Sequence, residues 1–212
     1  MRLGARPRTP YKLLSLVLQY PDGRLLDARP EIVSAIDELP RSYEKRCLGR
    51  FLDYWVRTPP TKLQQDYVET FDLQRRSALY LSYYVHGDTR KRGMSLLRLN
   101  RMYREAGLVK QDGELPDYLP LMLEFAELAP DGYGRQVLVE YRASLEMIHR
   151  SLRERASPYA ELLDALCHGL PALNPLEKAN LTRLVTEGPP SEQVGLQPFA
   201  PPEVMPAMEP RR

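Results

Sequence analysis

Cysteine is nearly missing from this chain. Cys47 and Cys167 are the only two in 212 residues, and they stand far apart. Neither belongs to a Cys-x-x-Cys or Cys/His ligand cluster, so a disulfide framework and a cysteine zinc site are excluded. Both are expected to be buried thiols in a reducing compartment. Histidine is as sparse: His86, His149 and His168 are the three. His86-Gly87-Asp88 is not the adjacent His-Asp pair of metal phosphohydrolases. His149 and His168 fall on separate predicted helices, with no Asp or Glu read at ligand spacing, so no metal is expected. No Gly-rich phosphate loop, dinucleotide fingerprint or Gly-x-Ser-x-Gly elbow occurs. Without a reacting constellation the chain is not expected to be an enzyme, and no cofactor is expected.

An excess of charge of one sign is also absent. Thirty basic residues face 28 acidic ones, a formal charge of +2. A dedicated nucleic-acid binder carries a clustered basic footprint, so no nucleic acid is expected as partner. The Arg90-Lys91-Arg92 run reads as a solvated helix start. Long hydrophobic runs are lacking too. Arg2, Arg6, Arg8 and Lys12 precede Leu13-Leu14-Ser15-Leu16-Val17-Leu18, which imitates a signal peptide. That run is short, no small-x-small cleavage site follows it, and Gln19-Tyr20-Pro21-Asp22 reads as a helix end and turn. Nothing else is long enough to span a bilayer. The expected location is the cytoplasm, without stable membrane insertion.

What is present is helical periodicity, in a composition 43% hydrophobic and 27% charged, which suits a soluble globular domain. Leu13, Leu14, Val17 and Leu18 share a helical face. A short helix opens at Pro30 and stops at Pro40. Arg41 to Thr58 forms another, with Leu48, Phe51, Leu52 and Trp55 inward. Thr61 and Gln64 fit a capping box for the next helix, which carries Leu63, Tyr67 and Phe71. Asp72 can cap a further helix reaching Val85, before the His86-Gly87-Asp88-Thr89 turn. Arg90 to Ala106 is helical and ends at Gly107. On it Arg92 shares the stripe of Leu96, Leu99 and Tyr103. An arginine on a core face needs a carboxylate, and Asp72 or Glu69 is the expected partner.

After a loop from Val109 to Glu114, Asp117 is placed to cap a strongly apolar helix, which is either central to the core or lines a groove. Residues 135–156 read as one long amphipathic helix in a bundle. Ser157-Pro158 opens the next. Asn174-Pro175 with Glu177 opens the last, ending at Gly188. The organisation is therefore all-α: one helical bundle domain over residues 1–188 and a proline-rich, largely disordered tail over 189–212, with Phe199 as the apolar residue placed to dock on the body. Tyrosine outnumbers phenylalanine 13 to 4. Its rigid ring and polar tip suit surfaces that bury a peptide and release it.

The tyrosines concentrate in two segments. The first contains Tyr67-Val68-Glu69-Thr70-Phe71-Asp72, then Ser77-Ala78-Leu79-Tyr80-Leu81, then His86-Gly87-Asp88-Thr89 and Arg92-Gly93-Met94. The second is Leu115-Pro116-Asp117-Tyr118-Leu119 with Leu123-Glu124-Phe125. In order and spacing these resemble the NarJ-type assembly chaperones of respiratory nitrate reductase, within the TorD-like redox-enzyme chaperones. The likeness runs over about residues 10–200. Where the family often carries a hinge histidine, this chain has Tyr118.

The resemblance implies a cytoplasmic, system-specific chaperone, not part of the finished enzyme. It would bind the amino-terminal segment of the nitrate reductase alpha subunit and hold the apo-enzyme open for molybdenum cofactor insertion before membrane docking. The apo-enzyme body and the cofactor insertion machinery are the further partners it suggests. The expected mode is helix-in-groove recognition. Apolar anchors of the client would meet Tyr67, Phe71, Tyr80, Tyr84, Tyr118, Leu119 and Phe125. Its arginines would meet Asp72, Asp117 and Glu124. The rival class is an all-helical regulatory or scaffold protein with a nucleic-acid or protein partner. A continuous basic face between Arg90 and Arg104 would favour the rival; an apolar groove rimmed by carboxylates would favour the chaperone.

Overall fold

Helix α4 (Tyr43–Arg57) shows how the chain organises itself. Its Cys47, Leu48, Phe51, Leu52 and Trp55 recur at three- and four-residue steps and all are buried. Ser42 accepts a hydrogen bond from the Lys45 N–H and so caps the start. The computed structural model describes residues 9–108 and 113–190. Among them are twelve α-helices and no strand. The expected disordered tail beyond residue 190, including Phe199, and most of the loop after Val109 lie outside the described residues.

The other helices are α1 (Tyr11–Val17), α2 (Gly23–Asp27), α3 (Arg29–Asp37), α5 (Pro60–Tyr67), α6 (Leu81–His86), α7 (Arg90–Glu105), α8 (Leu119–Leu128), α9 (Tyr133–Glu140), α10 (Arg142–Glu154), α11 (Ala160–His168) and α12 (Pro175–Glu187). The packing is layered: α4 lies on α11, α1 on α8, α8 on α9, and α10 on both α11 and α12. An aromatic cluster sits where these layers meet. Tyr159 takes ring contacts from Phe51, Tyr54, Tyr67 and Phe71 at 5.2, 6.2, 6.1 and 4.8 Å.

Several local expectations are corrected. Helix α5 begins at Pro60, before Thr61, so the Thr61–Gln64 box does not form; proline at the first helical position starts the helix by itself. Asp72 caps no helix. The chain continues from α5 as a π-helical turn over Val68–Asp72, and the next helix starts only at Leu81. The long helix over 135–156 is two helices, broken at Tyr141 (φ −98°, ψ 20°). The apolar stripe continues across the break through Leu138, Tyr141 and Leu145, so periodicity does not reveal it. Helix α11 begins at Ala160 with no side-chain cap, so Ser157 does not serve as one. By contrast, the box of Asn174 and Glu177 forms on α12, and Gly107 takes the left-handed φ of 74°. Cys47 is buried as expected, whereas Cys167 is only partly so.

The crossing of α8 and α9 is closest at Gly134. A methyl group there would lie 2.5 Å from the Phe125 carbonyl oxygen and 2.5 Å from the Ala126 Cα. Both are backbone atoms of a buried helix, so neither can step aside alone. Gly134→Ala is expected to cost about 2 kcal/mol by overpacking, read as a lower denaturation midpoint at unchanged m-value. A midpoint at or above the wild-type value would show that the two helices slide apart freely.

Candidate functional site

The segments singled out in the sequence meet in a short backbone clip. The Leu119 N–H donates to the Leu79 carbonyl (2.8 Å) and the Leu81 N–H to the Asp117 carbonyl (3.0 Å). Tyr80 and Tyr118 thus face each other as an isolated antiparallel bridge, their rings 5.5 Å apart. Tyr103 ties the clip down by donating its hydroxyl to the Pro116 carbonyl (2.5 Å).

Asp117 lies inside this clip, wholly buried. It does not cap α8, whose N-cap is Tyr118 with no side-chain bond. Its Oδ2 instead accepts from the Ser82 N–H (3.2 Å) and the Ser82 hydroxyl (2.5 Å). The Arg92 Nη2 stands 3.7 Å from the same oxygen, and its Nη1 is 3.2 Å from Asp88. The expected Arg92–Asp72 pair is therefore corrected: among the described residues the carboxylates paired with Arg92 are Asp117 and Asp88. Asp72 is largely solvent-exposed and so needs no protein counterion, whereas a buried carboxylate depends on one.

Two adjoining cavities open beside the clip. The larger, of about 680 Å³, runs between α1 and α8. Its apolar lining includes Leu16, Tyr20, Tyr118, Leu121 and Leu128, and the carboxylates on it are Asp22, Glu114 and Glu124. Lys12 closes one end by pairing with Glu124 at 2.5 Å. The smaller, of about 180 Å³, is lined by Tyr67, Phe71, Asp72, Leu79 and Tyr80. Tyr20, Glu114 and Tyr118 belong to both.

The tyrosine hydroxyls form a chain across this floor. Tyr118 and Tyr67 share a hydrogen bond of 2.9 Å, and Tyr67 donates to the Leu18 carbonyl at 3.1 Å. Tyr80 donates to Glu114 at 3.2 Å. Burial, then the Glu114 charge, pushes the Tyr80 phenol up to about 12; burial likewise raises Tyr67 and Tyr118. All three stay neutral and serve as hydrogen-bonding groups. Burial also raises the Asp72 carboxyl.

The predicted residues divide accordingly. Tyr67, Phe71, Asp72, Tyr80 and Tyr118 line the smaller cavity, and Tyr118, Glu124 and Phe125 the larger. Tyr84, Asp117 and Leu119 line neither and are corrected to interior residues. The Tyr84 hydroxyl is used up on the Ala78 carbonyl (2.9 Å), and Leu119 is fully enclosed. Tyr67, Phe71 and Phe125 are at most 4% exposed, so they form the floor and cannot be reached as surface anchors. The sequence reading missed the wall made by Leu16 of α1 and by Gln19 and Tyr20 just after it, together with Leu121 and Leu128. Tyr20 and Leu128 are among the exposed large apolar side chains, and that exposure is the signal that finds them.

A second titratable cluster joins α10 to α11. The ligand-type atoms of Glu146, His149 and Cys167 lie within 4.8 Å of one another. The reading that His149 lacks an acidic neighbour at ligand spacing is corrected: Glu146 stands three residues earlier, and the Asp164 carboxylate is 2.7 Å from its Nε2. The Arg142 guanidinium, 3.1 Å from Glu146, already neutralises the group, and burial pushes the Cys167 thiol up to about 11. An ion network fits this donor set better than a metal. The His149 imidazole 3.9 Å away, against the opposing effect of burial and with help from Arg142, holds the Glu146 carboxyl down at about 2. A carboxyl depressed on folding stabilises the fold above its unfolded pKa, and that stability disappears as pH falls through the folded value. Acidifying from pH 5 to pH 2 is expected to remove on the order of 2 kcal/mol through this group. Glu146→Gln should flatten that part of a melting-temperature profile; equal slopes for the two proteins would refute it.

Comparison with known proteins places these features. The nitrate reductase delta subunit family matches residues 37–165. The nitrate reductase-like protein NarX of Mycobacterium tuberculosis is 36% identical over 157 residues, 74% of this chain but only 24% of that protein. The probable nitrate reductase molybdenum cofactor assembly chaperone NarJ of Bacillus subtilis is 34% identical over 160 residues, covering 76% of this chain and 87% of that one. The NarJ chaperone of Escherichia coli K12 is 34% identical over 157 residues, 73% of this chain and 66% of that one. The chain thus spans about a quarter of the mycobacterial relative and just under two thirds of the E. coli one. A structure from Archaeoglobus fulgidus assigned as a redox enzyme maturation protein shares the fold, with a TM-score of 0.57, 21% identity, and coverage of 79% of this chain and 96% of that one.

Proposed function

The chain belongs to the nitrate reductase delta subunit family, and from that premise we propose that it is a cytoplasmic assembly chaperone for a respiratory nitrate reductase. It binds the amino-terminal segment of the alpha subunit and keeps the apo-enzyme open for molybdenum cofactor insertion until membrane docking. It leaves before the enzyme is finished. The names of the Bacillus and Escherichia relatives support this reading. So does the absence, among the described residues, of any helix long and apolar enough to cross a membrane.

The observation that carries the reading is the groove between α1 and α8. Tyrosine, leucine and Phe125 make up most of its apolar lining, and Asp22, Glu114 and Glu124 stand on it. An amphipathic client helix lays its apolar stripe on Tyr20, Tyr118, Leu121 and Leu128 and offers its basic residues to these carboxylates. The test is calorimetric titration with a peptide from the amino terminus of the co-encoded alpha subunit, against a scrambled peptide. Saturable binding lost on scrambling supports the proposal. Equal heats from both peptides would move recognition to the enzyme body. One observation speaks for the regulatory or scaffold reading: the solvent side of α7 is basic.

A further inference from the structure

Helix α7 presents a long side to solvent. Over sixteen residues it buries only Leu99, Met102 and Tyr103, and it packs mainly against the short α6. Its solvent side carries five exposed cations: Arg90, Lys91, Arg98, Arg101 and Arg104. Two carboxylates among the described residues pair with this side. Glu105, on the same side, pairs with Arg101 at 2.9 Å, and Glu140 of α9 pairs with Arg98. In the middle of this basic ridge stand Met94 and Leu97, 67% and 64% exposed. They lie three residues apart and so project from one face together.

We propose that this face of α7 is a peripheral docking surface for an anionic lipid bilayer. The cations spread along roughly 20 Å of helix. A convex ridge with long basic side chains along its length touches a plane of anionic headgroups at several points. Met94 and Leu97 then enter the boundary between headgroups and acyl chains, where an interfacial helix places its apolar residues. Nucleic acid fits less well, because the exposed apolar side chains of Met94 and Leu97 would meet the phosphate backbone. No aromatic residue is exposed on the ridge for a base to stack on. A second copy fits worst, since it would set one basic ridge against another. This surface includes no residue of the α8 side of the groove, and the inference holds whether or not the groove takes the proposed client.

The test is co-sedimentation of the full chain with vesicles of phosphatidylcholine mixed with phosphatidylglycerol, and with vesicles of phosphatidylcholine alone. Binding to the mixed vesicles only, weakened by added salt, is the expected result. Reversing Lys91 and Arg104 to Glu together should lower partitioning roughly thirtyfold. Leu97→Ser, which keeps every charge, should lower it severalfold. All three positions are exposed, and circular dichroism checks that the variants fold. Equal binding to neutral vesicles, or no binding to either kind, overturns the proposal. So does an unchanged affinity for the Leu97→Ser variant. Saturable binding of an oligonucleotide, abolished by the same charge reversal while vesicles are ignored, assigns the face to nucleic acid instead.

Discussion

Asp117→Ala is expected to remove about 3 kcal/mol or more of folding stability. The carboxylate is fully enclosed, and its loss leaves the Ser82 N–H and hydroxyl facing a cavity with no acceptor. Each buried donor left unpaired costs about 1–3 kcal/mol. Arg92 fares better, because its side chain is 20% exposed and Asp88 still faces it at 3.2 Å. The reverse change is harsher: Arg92→Met strands a buried negative charge, and a lone charge in the interior is the more expensive defect. Asp117→Asn on top of Arg92→Met should therefore recover part of the loss, because an amide accepts from Ser82 without carrying charge. Chemical denaturation of wild type, Asp117→Asn, Arg92→Met and the double variant gives the coupling directly. An Asp117→Ala midpoint indistinguishable from wild type would show that the clip holds without its carboxylate. Additive losses in the double variant would show that Arg92 and Asp117 do not act as a pair.

The same residue shows where sequence reading stops. Asp117 stands just before an apolar run, which is the local signature of a helix cap. Nothing local says that Ser82, on a distant segment, will claim the side chain. Helix α12 shows the opposite case. Asn174 and Glu177 satisfy each other within one turn, so the pattern alone decides the outcome. Tyr67, Tyr80 and Tyr118 were legible as a set, because the two motifs that contain them meet through the clip. That Phe71 and Tyr84 are buried is not legible locally, since burial depends on partners far along the chain, such as Tyr159 against Phe71. The other wall of the groove was invisible for the same reason. Helix α1 reaches α8 through long-range packing, marked by the Ser15 hydroxyl donating to the Pro120 carbonyl at 2.7 Å.

That geometry moves the decisive substitutions away from the interior and onto the groove rim. Tyr20→Ala is expected to weaken binding of the alpha-subunit peptide by about 2 kcal/mol, close to thirtyfold in Kd. Tyr20 is 42% exposed and meets Tyr67 edge-on, ring centroids 5.5 Å apart. Its ring is therefore oriented before the client arrives, which lowers the ordering cost on binding. Because Tyr20 is only partly buried in the free protein, its loss should change stability by no more than about 1 kcal/mol. Affinity and folding can thus be read separately, which no variant at Tyr67 or Phe71 permits. Glu114 and Glu124 act through charge, so replacing both with Gln should weaken binding mainly at low salt, with wild type and variant converging as salt screens the rim. Tyr84→Ala is the contrasting case. It lies outside both cavities, and any loss of binding in that variant should appear only together with a loss of fold. A Tyr20→Ala protein that is folded and binds with unchanged affinity would remove the groove between α1 and α8 from client recognition and place the contact elsewhere on the body.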